Sequence, residues 1–312
     1  MARRFVMRLR RPDFTGVRTP VATVAQSAGR LSLVGVVSGL LAGLAWVATT
    51  QTETGQRLAD LALFGRETAG PQGAGVAAEI LSNVSVAAAV TAATGLGALA
   101  LARGGMALVV AAAIAIAGAN LTSQLLKDLV ERPALLGSLA YARGNSFPSG
   151  TVTIVASIGL VATLVAPRRL RGLTALITAV GTCAVGMSTV VAGWHRLADV
   201  IGAILISLAW TALCAAGLAR VSGWMPRRSW RTGLGGGTIL LGGVAGAVAL
   251  AIGGIVLVAV ATDPAPIAEA LRTLADAPRA FLAALAIVGG TALLSAVALL
   301  WGLRGVALEL PD

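Results

Sequence analysis

The sequence predicts an all-α integral membrane protein of eight spans, six in succession and an additional C-terminal pair. Three observations lead there. Of 312 residues, 57% are hydrophobic and 12% charged, against roughly 25% charged in a soluble globular domain. Apolar stretches recur that reach or approach the ~20 residues a helix needs to cross a bilayer. Arginines collect in alternate loops, the pattern of a multi-pass chain with a fixed orientation.

In chain order, residues 1–30 form a basic leader with Arg3, Arg4, Arg8, Arg10 and Arg11 ahead of the first apolar stretch. That layout resembles a secretory signal. The leader extends to Arg30 and the apolar run after it is long, which fits a retained signal-anchor better than a cleaved signal. The spans are expected near 31–50, 76–102, 106–126, 150–166, 173–193, 198–219, 236–261 and 281–303. Residues 31–219 then make a six-helix core and 236–303 a two-helix hairpin, with Gly235, Gly236 and Gly237 as a flexible break between them. Three longer loops share one face. The first, 51–75, reads as a short interfacial helix plus turn; the second, 127–149, is rich in polar residues. The third, 262–280, reads as a short amphipathic helix ending at Pro278. Abundant Gly, Ala, Ser and Thr in the spans predict close helix packing.

The net charge of +11 follows from topology and does not call for a nucleic-acid partner. A cytoplasmic amino terminus puts 16 of the 24 basic residues inside, including Arg103, the Arg168, Arg169 and Arg171 cluster, Arg220, Arg227, Arg228, Arg231 and Arg304. Only 3 of the 13 acidic residues join them. The chain is expected in the cell membrane, with the 51–75, 127–149 and 188–199 regions facing outside. Cys183 and Cys214 fall inside spans, where thiols behave as small hydrophobes.

The one lysine, Lys127, and the one histidine, His195, stand in polar segments at that outer face. His195 and Asp199, read at a helix start, lie four apart and share a face. A carboxylate beside an imidazole fixes its tautomer, and an imidazole nitrogen held so can attack phosphorus. Alone, a His-x3-Asp pair is more often a helix cap or an interfacial histidine. Ser149 and Gly150 before a helix offer a hydroxyl, a pliable glycine and free N–H groups to an anion, which also describes an ordinary capped N-terminus. Lys127 either binds a phosphate oxygen as a point charge or snorkels toward water.

Taken together, in this order and on this side, Lys127 to Pro133, Asn145 to Gly150 and Ser188 to Asp199 resemble the three motifs of the phosphatidic acid phosphatase type 2 superfamily. These are Lys-x6-Arg-Pro, Pro-Ser-Gly-His and Ser-Arg-x5-His-x3-Asp. The resemblance covers about 76–219. It implies a six-helix lipid-phosphatase core, with spans seven and eight outside it. It implies His195 as nucleophile, Asp199 as its partner, and Lys127, Ser149, Gly150 and Ser188 as phosphate ligands. No metal and no cofactor is implied. The sequence departs from the motifs at four positions. Ala134 and Leu135 stand where arginine and proline are expected, Thr151 replaces the general-acid histidine, and Thr189 replaces the third-motif arginine. Arg132, Arg143, Arg196 and Thr151 are the nearby candidates to substitute.

Loss of a general acid forfeits ~10²–10⁴ in rate. An alkoxide leaving group needs that proton; a phosphate leaving group, a weak base, needs it less. The expectation is hydrolysis of a lipid or prenyl diphosphate in preference to a monophosphate, through a phosphohistidine. The alternative is an inactive relative that binds lipid phosphates or serves as a transport or partner scaffold. A transporter built on Glu79, Asn83, Asn120 and Gln124 is the weaker reading, since no inverted repeat accompanies them. Haloperoxidase chemistry is excluded by the missing arginines.

Overall fold

The computed structural model describes residues 21–136, 144–221, 234–262, 276–304 and 306. The described residues are helical, with no strand among them. Helices α1 (Val21–Thr50), α2 (Glu53–Phe64), a 3-10 turn (Gly65–Ala69), α3 (Gly70–Ser82) and α4 (Val86–Leu129) come first. Then follow α5 (Gly150–Val165), α6 (Arg171–Val191), α7 (Leu197–Val221), α8 (Leu234–Ala261) and α9 (Ala277–Gly302). Six of them, α1, α4, α6, α7, α8 and α9, are long and apolar enough to cross a bilayer. The 44-residue α4 changes direction at Gly105, whose φ of 65° and ψ of −166° are non-helical. Its two halves together with the apolar 16-residue α5 account for the eight stretches read from the sequence.

Local differences have local causes. The second stretch, read as 76–102, is interrupted at 83–85. Asn83 Nδ2 bonds back to Glu79 O at 2.8 Å, and Ser85 Oγ accepts from Ala88 N at 3.1 Å. Such side chains end one helix and cap the next. The 51–75 loop is α2, the 3-10 turn and the start of α3, with Thr52 Oγ1 capping α2 through Gly55 N at 3.0 Å. Gly235, Gly236 and Gly237 lie inside α8 and do not form a break. In an apolar medium intrahelical pairing of every N–H outweighs the low helix propensity of glycine. The leader to residue 20, Arg227, Arg228, Arg231 and most of the 262–280 loop lie outside the described residues.

Helices packed in lipid gain by close approach more than by leaving water, and the contacts here depend on missing side chains. A Cβ on Gly118 of α4 would stand 2.6 Å from the Trp210 ring of α7, and one on Gly290 of α9 would stand 2.8 Å from Gly246 O of α8. Trp210 Nε1 donates to Thr122 Oγ1 at 3.0 Å, securing the α4–α7 contact. Helix α9 enters the interior. Leu299 packs in a buried cluster with Leu31, Leu108, Leu160 and Leu208, and Phe281 in another with Leu61, Val152 and Ile204. Asn120 Nδ2 reaches Ser157 Oγ at 3.2 Å between α4 and α5, whereas Glu79 and Asn83 are exposed at the end of α3. Asn83 thus hydrogen-bonds locally, and Asn120 bonds both within α4 and across to α5.

Two polar ends result. At one, Arg103 Nε donates to Val165 O and Arg171 Nη1 to Val306 O, both at 2.9 Å, and Arg220 Nη2 to Ser32 Oγ at 3.0 Å. At the other lie the C-termini of α1, α4 and α6, the N-termini of α5 and α7, and α2.

Candidate functional site

The described parts of the α4–α5 connection and the tight turn between α6 and α7 assemble the second end. Asn145 is the joint between the first two motif segments. Its Nδ2 lies 3.4 Å from both Leu126 O and Lys127 O, at the exposed carbonyls of α4, and its Oδ1 accepts from Phe147 N at 3.1 Å. Ser149, fully buried, is the N-cap of α5. Its backbone N–H donates to Asp199 O at 2.9 Å, so the start of α5 is fastened to the first turn of α7. Phe147 lies against Gly202, and any Cβ at 202 would collide with the ring edge. Gly202→Val is therefore expected to displace the 145–150 loop and destabilise the protein by about 1–3 kcal/mol, the usual cost of overpacking. An unchanged melting temperature in detergent would show that this contact has slack.

The histidine segment turns between α6 and α7. Gly193 adopts φ 69°, a left-handed conformation suited to glycine. Thr189 O receives Trp194 N at 3.0 Å and His195 N at 3.3 Å. Thr189 Oγ1 bonds Gly186 O at 2.8 Å, so the residue standing in the arginine position is fully buried and serves the turn. His195 precedes α7 and does not lie on it. It meets Asp199 because Asp199, third residue of α7, turns its carboxylate back over the helix start. Asp199 Oδ2 accepts Arg196 N at 2.9 Å, a capping bond of the kind described for N3 acidic residues. The same oxygen receives Ser146 Oγ at 2.6 Å and lies 3.3 Å from His195 Nδ1. The His195 side chain is 14% exposed and that of Asp199 3%. With Nδ1 facing the carboxylate, the tautomer that donates there leaves Nε2 as the basic nitrogen.

The Lys127 side chain comes from the last turn of α4 and crosses to α5. A Cβ on Gly150 would stand 3.1 Å from Lys127 Nζ, so the absent side chain makes room for the ammonium at the N-terminus of α5. Ser188 is buried in the last turn of α6, with no side-chain hydrogen bond to Lys127, His195 or Asp199 among the described residues. Thr151 follows Gly150, half-buried. Arg143 lies outside the described residues.

Arg132 and Arg196 converge on a residue that the motif spacing does not reveal. Asp60 of α2, fully buried, accepts Arg196 Nε at 3.0 Å and Arg132 Nη2 at 3.4 Å through one oxygen. Burial, and next the charge of Arg196, pull the Arg132 pKa below the ordinary arginine value, against the opposing effect of Asp60 and Asp199. Arg66, in the 3-10 turn, places Nε 3.1 Å from where a Cβ on Gly193 would be, which sets a further cation against the His195 turn. Ser146, Asp60 and Arg66 were not legible as site residues. The one available signal was an aspartate inside the apolar run Leu58 to Phe64. Among the described residues no group of three or more His, Cys, Asp or Glu could hold a metal ion.

No curated protein matches the chain. A solved structure similar to it is that of a transmembrane PAP2 type phosphatidylglycerolphosphate phosphatase from Bacillus subtilis, at 17% identity. The match covers 63% of this chain and 98% of that one, with a TM-score of 0.45. Residues 107–222 match the model of the PAP2 superfamily, a stretch that contains Lys127, Ser149, Gly150, Ser188, His195 and Asp199 but neither Asp60 nor Arg66. Over residues 107–222, then, this membrane protein is similar to the PAP2 superfamily.

Proposed function

We propose that the chain hydrolyses a lipid diphosphate, of the prenyl type, through a phosphohistidine at His195. The observation that carries this reading is the Ser146–Asp199–His195 chain of hydrogen bonds, which orients the imidazole, while the Ser149 N bond to Asp199 O fastens the start of α5, where Lys127 Nζ lies, to the same helix turn. His195 Nε2 attacks the terminal phosphorus. An N–P bond forms, the bridging P–O bond breaks, and the lipid monophosphate leaves with the electron pair. Water then attacks the phosphorus; inorganic phosphate departs, and Nε2 is regenerated. Lys127 and the N–H groups at the start of α5 neutralise the phosphoryl oxygens, which is where phosphoryl-transfer catalysis chiefly acts. Arg132 supplies a guanidinium in place of the one absent at 134. The arginine-rich opposite end is the cytoplasmic one by the positive-inside bias, which puts this site at the outer face of the cell membrane.

Without a histidine at 151, the leaving group must depart unprotonated. Phosphate release from a polyprenyl diphosphate is therefore expected to exceed release from the matching monophosphate by roughly 10² or more, in line with the worth of a general acid. Equal rates in detergent solution would contradict this preference. The inactive-relative reading has one specific support: Asp60 already engages both Arg132 and Arg196. Lipid binding with no release from either substrate would favour it.

A further inference from the structure

Helix α2 carries buried polar side chains toward the site although it lies outside the family segment. Gln56, Arg57 and Asp60 are 0%, 4% and 0% exposed. Arg57 Nη2 donates to Val260 O and Ala261 O, both at 3.0 Å, closing the carbonyl end of α8. Gln56 Nε2 donates to Thr50 O at 2.7 Å and to Pro133 O at 2.6 Å. The second of these bonds fixes the residue directly after Arg132. One turn along the same helix, Asp60 holds the Arg132 guanidinium itself. The chain around Arg132 is therefore tethered to α2 twice, once by its backbone and once by its side chain.

Arg132 is a well-buried cation with donors to spare. Its side chain is 8% exposed, and among the described residues its one bond is the 3.4 Å contact with Asp60. A guanidinium has five N–H donors. The carboxylate takes one of them and leaves the others for a second anion. The Arg132 charge also interacts with that of Asp199, so it acts on the pocket that holds the imidazole. Arg196, by contrast, is 3% exposed and turned onto Asp60.

We propose that Asp60, supported by Gln56, is the positioning residue that presents Arg132 to the phosphoryl group, in the role vacated at Ala134. This rests on the phosphate-binding half of the phosphatase reading of the site. In the PAP2 segment itself the ligand position is empty; a helix from outside that segment restores a guanidinium by holding one two residues earlier. Asp60 acts through Arg132 and does not touch the substrate.

The test is binding of inorganic phosphate to the full-length protein in detergent, by calorimetry or phosphate-dependent melting, because it needs no turnover. Arg132→Gln is expected to weaken phosphate binding about tenfold or more, the scale of one charge-assisted hydrogen bond. Asp60→Asn should weaken it similarly, and the double variant should be no weaker than Arg132→Gln alone. Gln56→Met keeps every charge and carries the test if Asp60→Asn does not fold. It should give a smaller loss that disappears in the Arg132→Gln background. Unchanged or tighter binding by Asp60→Asn, penalties that multiply in either double variant, or no phosphate binding by the parent protein would each overturn the assignment. Phosphate binding without lipid hydrolysis would overturn the hydrolase reading and leave this one standing.

Discussion

His195→Ala is expected to reduce phosphate release from a lipid diphosphate by roughly four orders of magnitude or more, the usual consequence of removing a covalent nucleophile. No second histidine exists to take over. Because the His195 side chain accepts or donates only toward Asp199 among the described residues, its truncation leaves the Ser146 and Arg196 bonds to that carboxylate in place. The melting temperature should therefore change little, and the lipid should still bind. Release rate, melting temperature and lipid binding measured on the same preparation separate loss of chemistry from loss of fold. A variant that keeps its activity would remove His195 from the reaction.

Asp199→Asn is expected to lower turnover by roughly 10³–10⁴, the scale seen when a carboxylate that fixes a catalytic imidazole becomes an amide. An amide nitrogen facing His195 Nδ1 would favour the tautomer protonated at Nε2, which cannot attack. Arg196 N meets the same Oδ2 position that faces Nδ1, so the helix cap survives only in the amide rotamer that keeps its oxygen there. Asp199→Ala loses the cap as well and should cost about 1 kcal/mol more in stability, besides leaving Ser146 Oγ without its 2.6 Å partner. Turnover should fall in both variants, while stability should fall mainly in the alanine one. Equal loss of activity and stability in both would mean that Asp199 is a structural cap and no more.

Much of the candidate site's arrangement was legible because its residues fall in register along the chain. The Lys127, Ser149, Gly150, His195 and Asp199 positions follow motif spacing, and the fold joins them through bonds such as Ser149 N to Asp199 O. The reason for the His195–Asp199 encounter was not readable. Helical spacing suggested neighbours on one face, whereas Asp199 folds back across a helix that starts only at Leu197. Asp60 was hidden for a different reason. Its partners Arg132 and Arg196 are separated from it by 72 and 136 positions, and no local pattern announces that α2 turns into the bundle. The same distance concealed the engagement of Arg57 with the end of α8. The interruption at 83–85 was concealed by hydrophobicity: the residues on either side are apolar enough to read as one span, and a few side-chain bonds end it.

The most direct test of a histidine-centred phosphoryl transfer is to quench the reaction on a polyprenyl diphosphate labelled in its terminal phosphate and to examine the protein for label. An acid-labile, alkali-stable phosphoryl group is expected on His195, formed as lipid monophosphate appears and absent from His195→Ala. Phosphate released at the same rate by the His195→Ala protein, or lipid bound by the parent protein with neither label nor release, would contradict it.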